Sequence, residues 1–277
     1  MFCMDWRGFT AWMFDARGLS SNTRGQYRRR AQAADRWLRT QGTRLDRATT
    51  KDLAGWMSTL PATAASRNLA RKALDAFYQW RVATTSRTTN PAADLPVLPA
   101  RRGVPRPCRD PAGLLLAANA HSSMMGAFAG LLLYAALRFT EARTSKWPDW
   151  HSGWLEVEAK GGQRQAVPVA PTLHDALTRW RGECEDPLWM FPSSRHPGEV
   201  MSERAVRDRW RAITDAAGLG DVSPHMARHR AATDMLELSG RLDIVQELLR
   251  HKSAQTTRTY AATRPQAVKD AVGQLRY

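Results

Sequence analysis

A dense run of prolines limits what this chain can fold into. Asn90-Pro91, Leu95-Pro96-Val97-Leu98-Pro99 and Arg101-Arg102-Gly103-Val104-Pro105-Arg106-Pro107 follow one another closely. Each proline lacks a backbone N–H and fixes its own φ, so no regular helix can cross the stretch and an extended, semi-rigid connector is expected. In a chain of 277 residues such a break leaves room for two domains. The expected division is a helical domain over 1–100, a linker over 101–110 and a second domain over 111–277.

Helical periodicity dominates the first part. Trp6, Phe9 and Met13 recur at helical spacing, as do Tyr27, Ala31, Ala34 and Leu38. Leu53, Trp56, Met57 and Leu60 make a third stripe, and Leu69, Ala73, Phe77 and Trp80 a fourth. Ser21-Asn22-Thr23 and Thr49-Thr50 are the candidate caps of the second and third helices. The reverse faces carry Arg24, Arg28, Arg29, Arg36 and Arg39 on one helix and Arg67, Arg71 and Lys72 on another. A charged helix face is commonly no more than solvated. The excess of one sign points instead to a surface that grips nucleic acid.

Composition supports that second reading. There are 41 Lys+Arg against 26 Asp+Glu, a net charge of +15, and nearly all the cations are arginine. A polyanionic partner suits such a balance, because each neutralised phosphate releases counterions and arginine can hold a phosphate in two-pronged fashion. A GC-rich genome would give the same bias through its codons. Arg101 and Arg102 in the connector would suit a strap along DNA. The 3 cysteines, Cys3, Cys108 and Cys184, have no CxxC spacing and cannot all pair, which fits a reducing compartment. Asp5 and Arg7 interrupt any N-terminal apolar run. Gly126 to Leu137 is apolar but falls short of the ~20 residues a membrane span needs. A cytoplasmic protein with no membrane association is expected.

Beyond the connector, Pro111 to Leu137 reads as two helices broken around His121-Ser122-Ser123. Trp154 to Val169, with Lys160-Gly161-Gly162 at its middle, reads as a short β-hairpin. Helices resume at Pro171 to Arg181 and Ser202 to Ala217. The fold class is thus mainly α: a helical bundle followed by a mixed α+β domain with a small hairpin.

The chemistry concentrates near the C-terminus. Ser223-Pro224 pairs a capping hydroxyl with proline at the first helical position, which places His225 in a first turn where free N–H groups favour an anion. Arg228, three residues on, shares its face. Backbone dipole, imidazole and guanidinium could therefore meet one phosphate. A second reading takes His225 and His229, at i and i+4, as metal ligands, although no glutamate follows His225 and no third ligand sits at matching spacing. Ile244, Val245, Leu248 and Leu249 form the apolar stripe of the next helix, which ends at Arg250-His251. Tyr260 follows a threonine-rich stretch, and taken alone says nothing.

The ensemble resembles the tyrosine recombinases, the phage-integrase family. Leu131 to Ala142, an apolar helix delivering Arg138 ahead of Thr140-Glu141, resembles the family's first arginine motif. His225-Met226-Ala227-Arg228-His229 is similar to its HxxR box, Val245 to Ser253 to its downstream histidine segment, and Thr256-Thr257-Arg258-Thr259-Tyr260 to its nucleophile segment. Lys160 matches the position of the family's catalytic lysine. Arg17-Gly18-Leu19-Ser20, Asn22-Thr23 and Tyr27 resemble its SAM-like core-binding domain, and Asn90-Pro91 the usual end of that domain. Ala159 and Arg250 stand where glycine is usual, Ala227 where leucine is, and Gln165 where arginine is common.

The resemblance implies a catalytic set of Arg138, Lys160, His225, Arg228, His251 and Tyr260, working on double-stranded DNA without cofactor or metal. Arg24, Arg28, Arg29, Arg67, Arg71, Lys72, Arg101 and Arg102 would bind the duplex. It implies a homotetramer on DNA, with the segment after Tyr260 (Val268, Ala271, Val272 and Leu275 on one side of a tail helix) docking onto a neighbouring protomer. The expected role is integrase of a phage or mobile element in a bacterial host, near its nucleoid. A chromosome- or plasmid-dimer resolvase of the same family, a type IB topoisomerase and a DNA-binding regulator without chemistry are the alternatives.

Overall fold

The computed structural model describes residues 4–99, 106–158 and 164–250. Two compact units divide the chain, Met1–Gly103 and Val104–Tyr277.

In the first unit four helices, α1 (Trp6–Asp15), α2 (Ser21–Thr40), α3 (Thr50–Ser58) and α4 (Ala64–Thr84), are each started by a side chain that accepts a free backbone N–H. The cap of α2 is Ser20, one residue before the segment expected from sequence, because Ser21 is already helical. Thr49 caps α3 as expected, within a reciprocal box in which Asp52 accepts the Thr49 N–H at 2.8 Å. Hydrogen bonds from the Thr49 backbone and hydroxyl hold the Asp52 carboxyl below the usual range. The predicted stripes form the core. Phe9, Met13, Ala31, Ala34, Leu38, Leu53, Trp56, Met57, Ala73, Phe77 and Trp80 are buried, while Trp6, Tyr27, Leu60 and Leu69 are only partly covered. Phe9, Phe77 and Trp80 form a ring cluster with centroids 5.5 to 5.6 Å apart.

Two polar side chains tie loops to this bundle. Buried Asp35 accepts the Leu45 N–H at 3.1 Å and the Arg39 Nε–H at 2.8 Å. Asn68 on α4 donates to the Leu98 carbonyl at 2.7 Å and accepts the Leu98 N–H at 2.9 Å. The proline-rich stretch through Leu98 is thus strapped onto the first unit, with Ala92 and Leu95 in its core. Prolines leave few N–H donors to anchor such a strap, and one amide side chain satisfies both polar groups of Leu98.

The second unit contains α5 (Pro111–His121), α6 (Ser123–Leu133), α7 (Phe139–Arg143), a 3₁₀ turn (Trp147–Asp149), β1 (Trp150–His151), β2 (Trp154–Glu158), β3 (Arg164–Pro168), α8 (Pro171–Glu183), α9 (Glu203–Ala216), α10 (Pro224–Ser239) and α11 (Leu242–Leu249). The expected break between α5 and α6 falls at Ser122, which leaves helical geometry and caps α6 through the Met125 N–H. Met125 through Leu133 are all buried, because α5, α8 and α10 pack around α6. That explains an apolar run without periodicity: the helix is central. No helix among the described residues is long and apolar enough to cross a membrane. Phe128 on α6 meets Phe139, Phe191 and Trp210 edge-on at 5.9, 5.2 and 6.1 Å.

The hairpin forms, with Trp154 opposite Pro168 and Glu158 opposite Arg164. A two-residue strand, β1, pairs antiparallel to β2 and completes a three-stranded sheet in the order β1-β2-β3. Sequence reading missed β1, since two residues carry no alternation to detect. The hairpin turn, including Lys160, lies outside the described residues.

Candidate active site

The site grows from a turn between α6 and α7. Ala136 adopts the left-handed conformation (φ 47), which reverses the chain so that Arg138 becomes the N-cap of α7. Glu141, one turn in, reaches back to accept the Arg138 N–H at 2.8 Å and its Nη1–H at 2.5 Å. The resulting fork leaves the Arg138 side chain 37% exposed while Glu141 is only 4% exposed.

Two further guanidinium groups converge on the same place. α10 starts as expected, with Ser223 capping through the Met226 N–H and Pro224 at the first position. Arg228, 3% exposed, points inward: its Nη1 donates to the Ala136 carbonyl, its Nη2 donates to the Leu249 carbonyl at 2.7 Å, and its Nη1 lies 3.8 Å from Glu141 Oε2. Arg250 ends α11 in a left-handed conformation (φ 52, ψ 45), and its side chain is 5% exposed. Its Nη2 donates to Glu141 Oε2 at 2.6 Å and its Nη1 to the Leu248 carbonyl at 3.0 Å. Beneath them Ala136, Ala231, Ala232, Leu236, Val245 and Leu249 form a small apolar cluster that fixes the turn, α10 and α11 against one another. Val245 and Leu249 of the predicted α11 stripe are buried, while Ile244 and Leu248 are partly covered.

Burial alone would raise the Glu141 carboxyl, but the Arg250 charge and the Arg138 backbone and side-chain hydrogen bonds outweigh it and hold the group below the ordinary carboxylate range. The site is therefore one buried anion ringed by three cations, with net positive charge left over for an incoming anion. His225 lies in the first turn of α10. Partial enclosure of its ring, then the Arg228 and Arg138 charges, lower its pKa, so the imidazole is neutral near pH 7 and able to take a proton. His229 stacks on it edge-on, with ring centroids 4.1 Å apart. Among the described residues no group of three or more His, Cys, Asp or Glu side chains is placed to hold a metal ion, so the two imidazoles find no third ligand there.

Arg138, His225 and Arg228 are thus brought together. Lys160, His251 and Tyr260 lie outside the described residues, as do Arg101, Arg102 and the tail after Tyr260. Of the basic residues singled out on α2 and α4, Arg28, Arg29 and Lys72 are exposed and Arg24, Arg67 and Arg71 partly so, and none enters an ion pair among the described residues. Arg39, by contrast, is paired with Asp35. Arg24 also stacks over the exposed Phe14 ring at 4.8 Å. Sequence reasoning underrated Glu141 and Arg250. The signal for the second was a bulky cation at a helix end where glycine is usual.

This architecture is shared with known proteins. A sequence model described as "Phage integrase family" matches residues 113–267, and one described as "Phage integrase, N-terminal SAM-like domain" matches residues 7–84. The chain is 32% identical to "Tyrosine recombinase XerC" of Xylella fastidiosa (strain M23) over 267 residues, covering 91% of this chain and 90% of that one. Its fold matches a lambda integrase dimer bound to a COC' core site (TM-score 0.73, 21% identity, 94% of this chain and 77% of that one). It also matches a lambda integrase tetramer bound to a Holliday junction (TM-score 0.70, 22% identity, 90% and 77%). Matched in both units, and over more than half its length by the catalytic-domain model alone, the chain belongs to the phage integrase family of tyrosine recombinases.

Proposed function

We propose that this protein cleaves and rejoins duplex DNA at a specific site through a 3′-phosphotyrosyl intermediate, and that it resolves dimeric chromosomes or plasmids. The observation that carries the chemistry is the convergence of Arg138, Arg228 and His225 around the buried Glu141. In the proposed step the Tyr260 oxygen attacks a backbone phosphorus, the P–O5′ bond breaks, and Lys160 gives its proton to the departing 5′-oxygen. Arg138 and Arg228 bind the non-bridging oxygens and stabilise the charge of the five-coordinate transition state. His225 accepts the tyrosine proton, which is needed because a free phenol has a pKa of about 10. His251 adds a hydrogen bond to the phosphate. The phosphotyrosyl bond retains the energy of the broken linkage, so a 5′-hydroxyl from a second duplex reverses the step with neither ATP nor metal.

The likeness to relatives named XerC over most of both chains favours the resolvase role over the integrase role expected from sequence. The partner is double-stranded DNA, bound through the basic faces of α2 and α4 and the connector arginines Arg101 and Arg102. The lambda integrase tetramer bound to a Holliday junction supports assembly of four protomers on DNA; in this reading the tail after Tyr260 docks between neighbours. The bacterial relatives favour the cytoplasm, and binding to DNA would hold the protein near the nucleoid.

The test is a duplex nicked beside the cleavage point, on which a covalent protein–DNA adduct accumulates. The wild-type chain forms it in EDTA, and Tyr260→Phe binds the same duplex without forming it. Adduct formation by Tyr260→Phe at the wild-type rate would remove Tyr260 as nucleophile. Relaxation of supercoils without recombinant products would favour a topoisomerase, and integration into a foreign attachment site without resolution of dimers would favour an integrase.

A further inference from the structure

We propose that Arg250 is a positioning residue: by holding Glu141 Oε2 at 2.6 Å it keeps Arg228 from closing onto that oxygen, leaving the Arg138–Arg228 pair set for a phosphate. The inference rests on the recombinase reading above and assigns a working part that the catalytic set does not contain. Three observations carry it. Arg250 Nη2 lies 2.6 Å from Glu141 Oε2, the oxygen whose other neighbours are the Arg138 N–H at 2.8 Å and Arg228 Nη1 at 3.8 Å. The guanidinium is almost fully buried and also donates to the Leu248 carbonyl at 3.0 Å and the Ala136 carbonyl at 3.4 Å, so it is held within the fold by two carbonyls besides Glu141. Its backbone sits in the left-handed region, where a side chain is disfavoured and glycine is the residue of least strain. A strained position that nonetheless carries a long cation, aimed inward at a carboxylate 109 residues away, is one whose side chain has a use.

The charged neighbours of Glu141 define what Arg250 contributes. Arg138 approaches from the turn before α7, Arg228 from α10 and Arg250 from the end of α11, with His225 beyond Arg228 on the same first turns of α10. On α7 itself Arg143 turns away to the Met201 carbonyl at 2.8 Å. From α9, Arg207 lies over the Phe139 ring at 4.3 Å. Helix α6 brings no charged group. With Arg250 gone, Arg138 and Arg228 are left to compensate the carboxylate, and Arg228, 3.8 Å from Oε2, would be drawn toward it. That move would draw it off the Ala136 and Leu249 carbonyls and away from the phosphate position.

The experiment compares Arg250→Gly and Arg250→Lys with the wild-type protein. Three quantities are measured: affinity for a nicked duplex, rate of covalent adduct formation, and titration of the Glu141 carboxyl by carbon NMR, assigned with Glu141→Gln. Arg250→Gly should bind DNA within about twofold of wild type, because in this proposal Arg250 acts through Glu141 and makes no contact of its own with the phosphate. Its adduct formation should slow by about tenfold or more, in line with loss of preorganised cations, and Glu141 should titrate at higher pH. Arg250→Lys should restore most of the rate and most of the Glu141 shift, which mere filling of space would not do. Wild-type rate and unchanged Glu141 titration in Arg250→Gly would overturn the proposal. Should that variant fail to fold, equal behaviour of Arg250→Lys and an uncharged Arg250→Met would overturn it equally. If the wild-type protein forms no adduct, the recombinase reading fails by itself, and the NMR titration still decides whether Arg250 governs Glu141.

Discussion

Arginine does opposite work in the two units. On α2 and α4 it faces outward: Arg28 and Arg29 are exposed, and neither finds an acidic partner among the described residues. In the second unit Arg228 and Arg250 are buried to within a few per cent and committed to carbonyls and one carboxylate. Outward arginines act as a sum, each adding a similar increment of salt-dependent attraction to a polyanion. Inward arginines act singly, because each fills a position that geometry defines and desolvation makes costly to leave unpaired. The same composition bias therefore feeds two different physical devices, and counting charges would not separate them.

That contrast can be broken by substitution. Arg138→Ala should show the largest effect, slowing adduct formation by about 10²–10³-fold while DNA affinity changes only several-fold; comparable losses of both would make Arg138 an outward anchor instead. Arg228→Ala should combine lost cleavage with lost stability of about 3 kcal/mol, since the Leu249 carbonyl loses its guanidinium donor, the Ala136 carbonyl keeps only the longer one from Arg250, and buried Glu141 loses a cation, and a melting curve unmoved from wild type would contradict its inward role. A third measurement is the pH profile. The His225 pKa is lowered in the fold, so the proton acceptor stays active below the ordinary histidine value of 6.5 and its contribution is lost as pH falls through the lowered value. Folding stability follows the same sign: the group's contribution is complete above 6.5 and declines on acidification. An acid limb at or above 6.5 that vanishes in His225→Ala would refute the lowered pKa.

Smaller effects should come from the outward set. Arg28→Ala with Arg71→Ala should reduce the salt slope of DNA binding by about 1 per contact removed, with stability changed by less than about 0.5 kcal/mol. A salt slope equal to wild type would mean these faces are merely solvated. Least of all, Ala136→Gly should stabilise by no more than a few tenths of a kcal/mol, as the gain at a left-handed φ is largely offset by a freer unfolded chain and the loss of a buried methyl. Destabilisation would show that the alanine methyl matters more to the cluster under the site than its backbone strain.

Much of this arrangement was legible in the sequence because it is local. The stripes of α1 to α4, the Thr49 cap, the Ser122 break, the hairpin and the Ser223-Pro224 start of α10 each follow from spacing within a few residues. The family motifs then joined Arg138 to His225 and Arg228 across the chain. What escaped were contacts without a local signature. Asn68 holds Leu98 from 30 residues away, and Arg250 reaches Glu141 across 109. The strand β1 is too short to alternate, and the misplaced α2 cap shows how four adjacent hydroxyl- and amide-bearing residues, Ser20 to Thr23, leave a helix start ambiguous by one position.

The Asn68 clasp bears on how the first unit should be cut free for study. A fragment ending at Asn90, where the prolines begin, would strip Ala92 and Leu95 from their sockets and leave the amide of Asn68 with nothing to hold. Extending it through Pro99 keeps the belt fastened, so the place to sever the two halves lies after the first cluster of prolines, not before it.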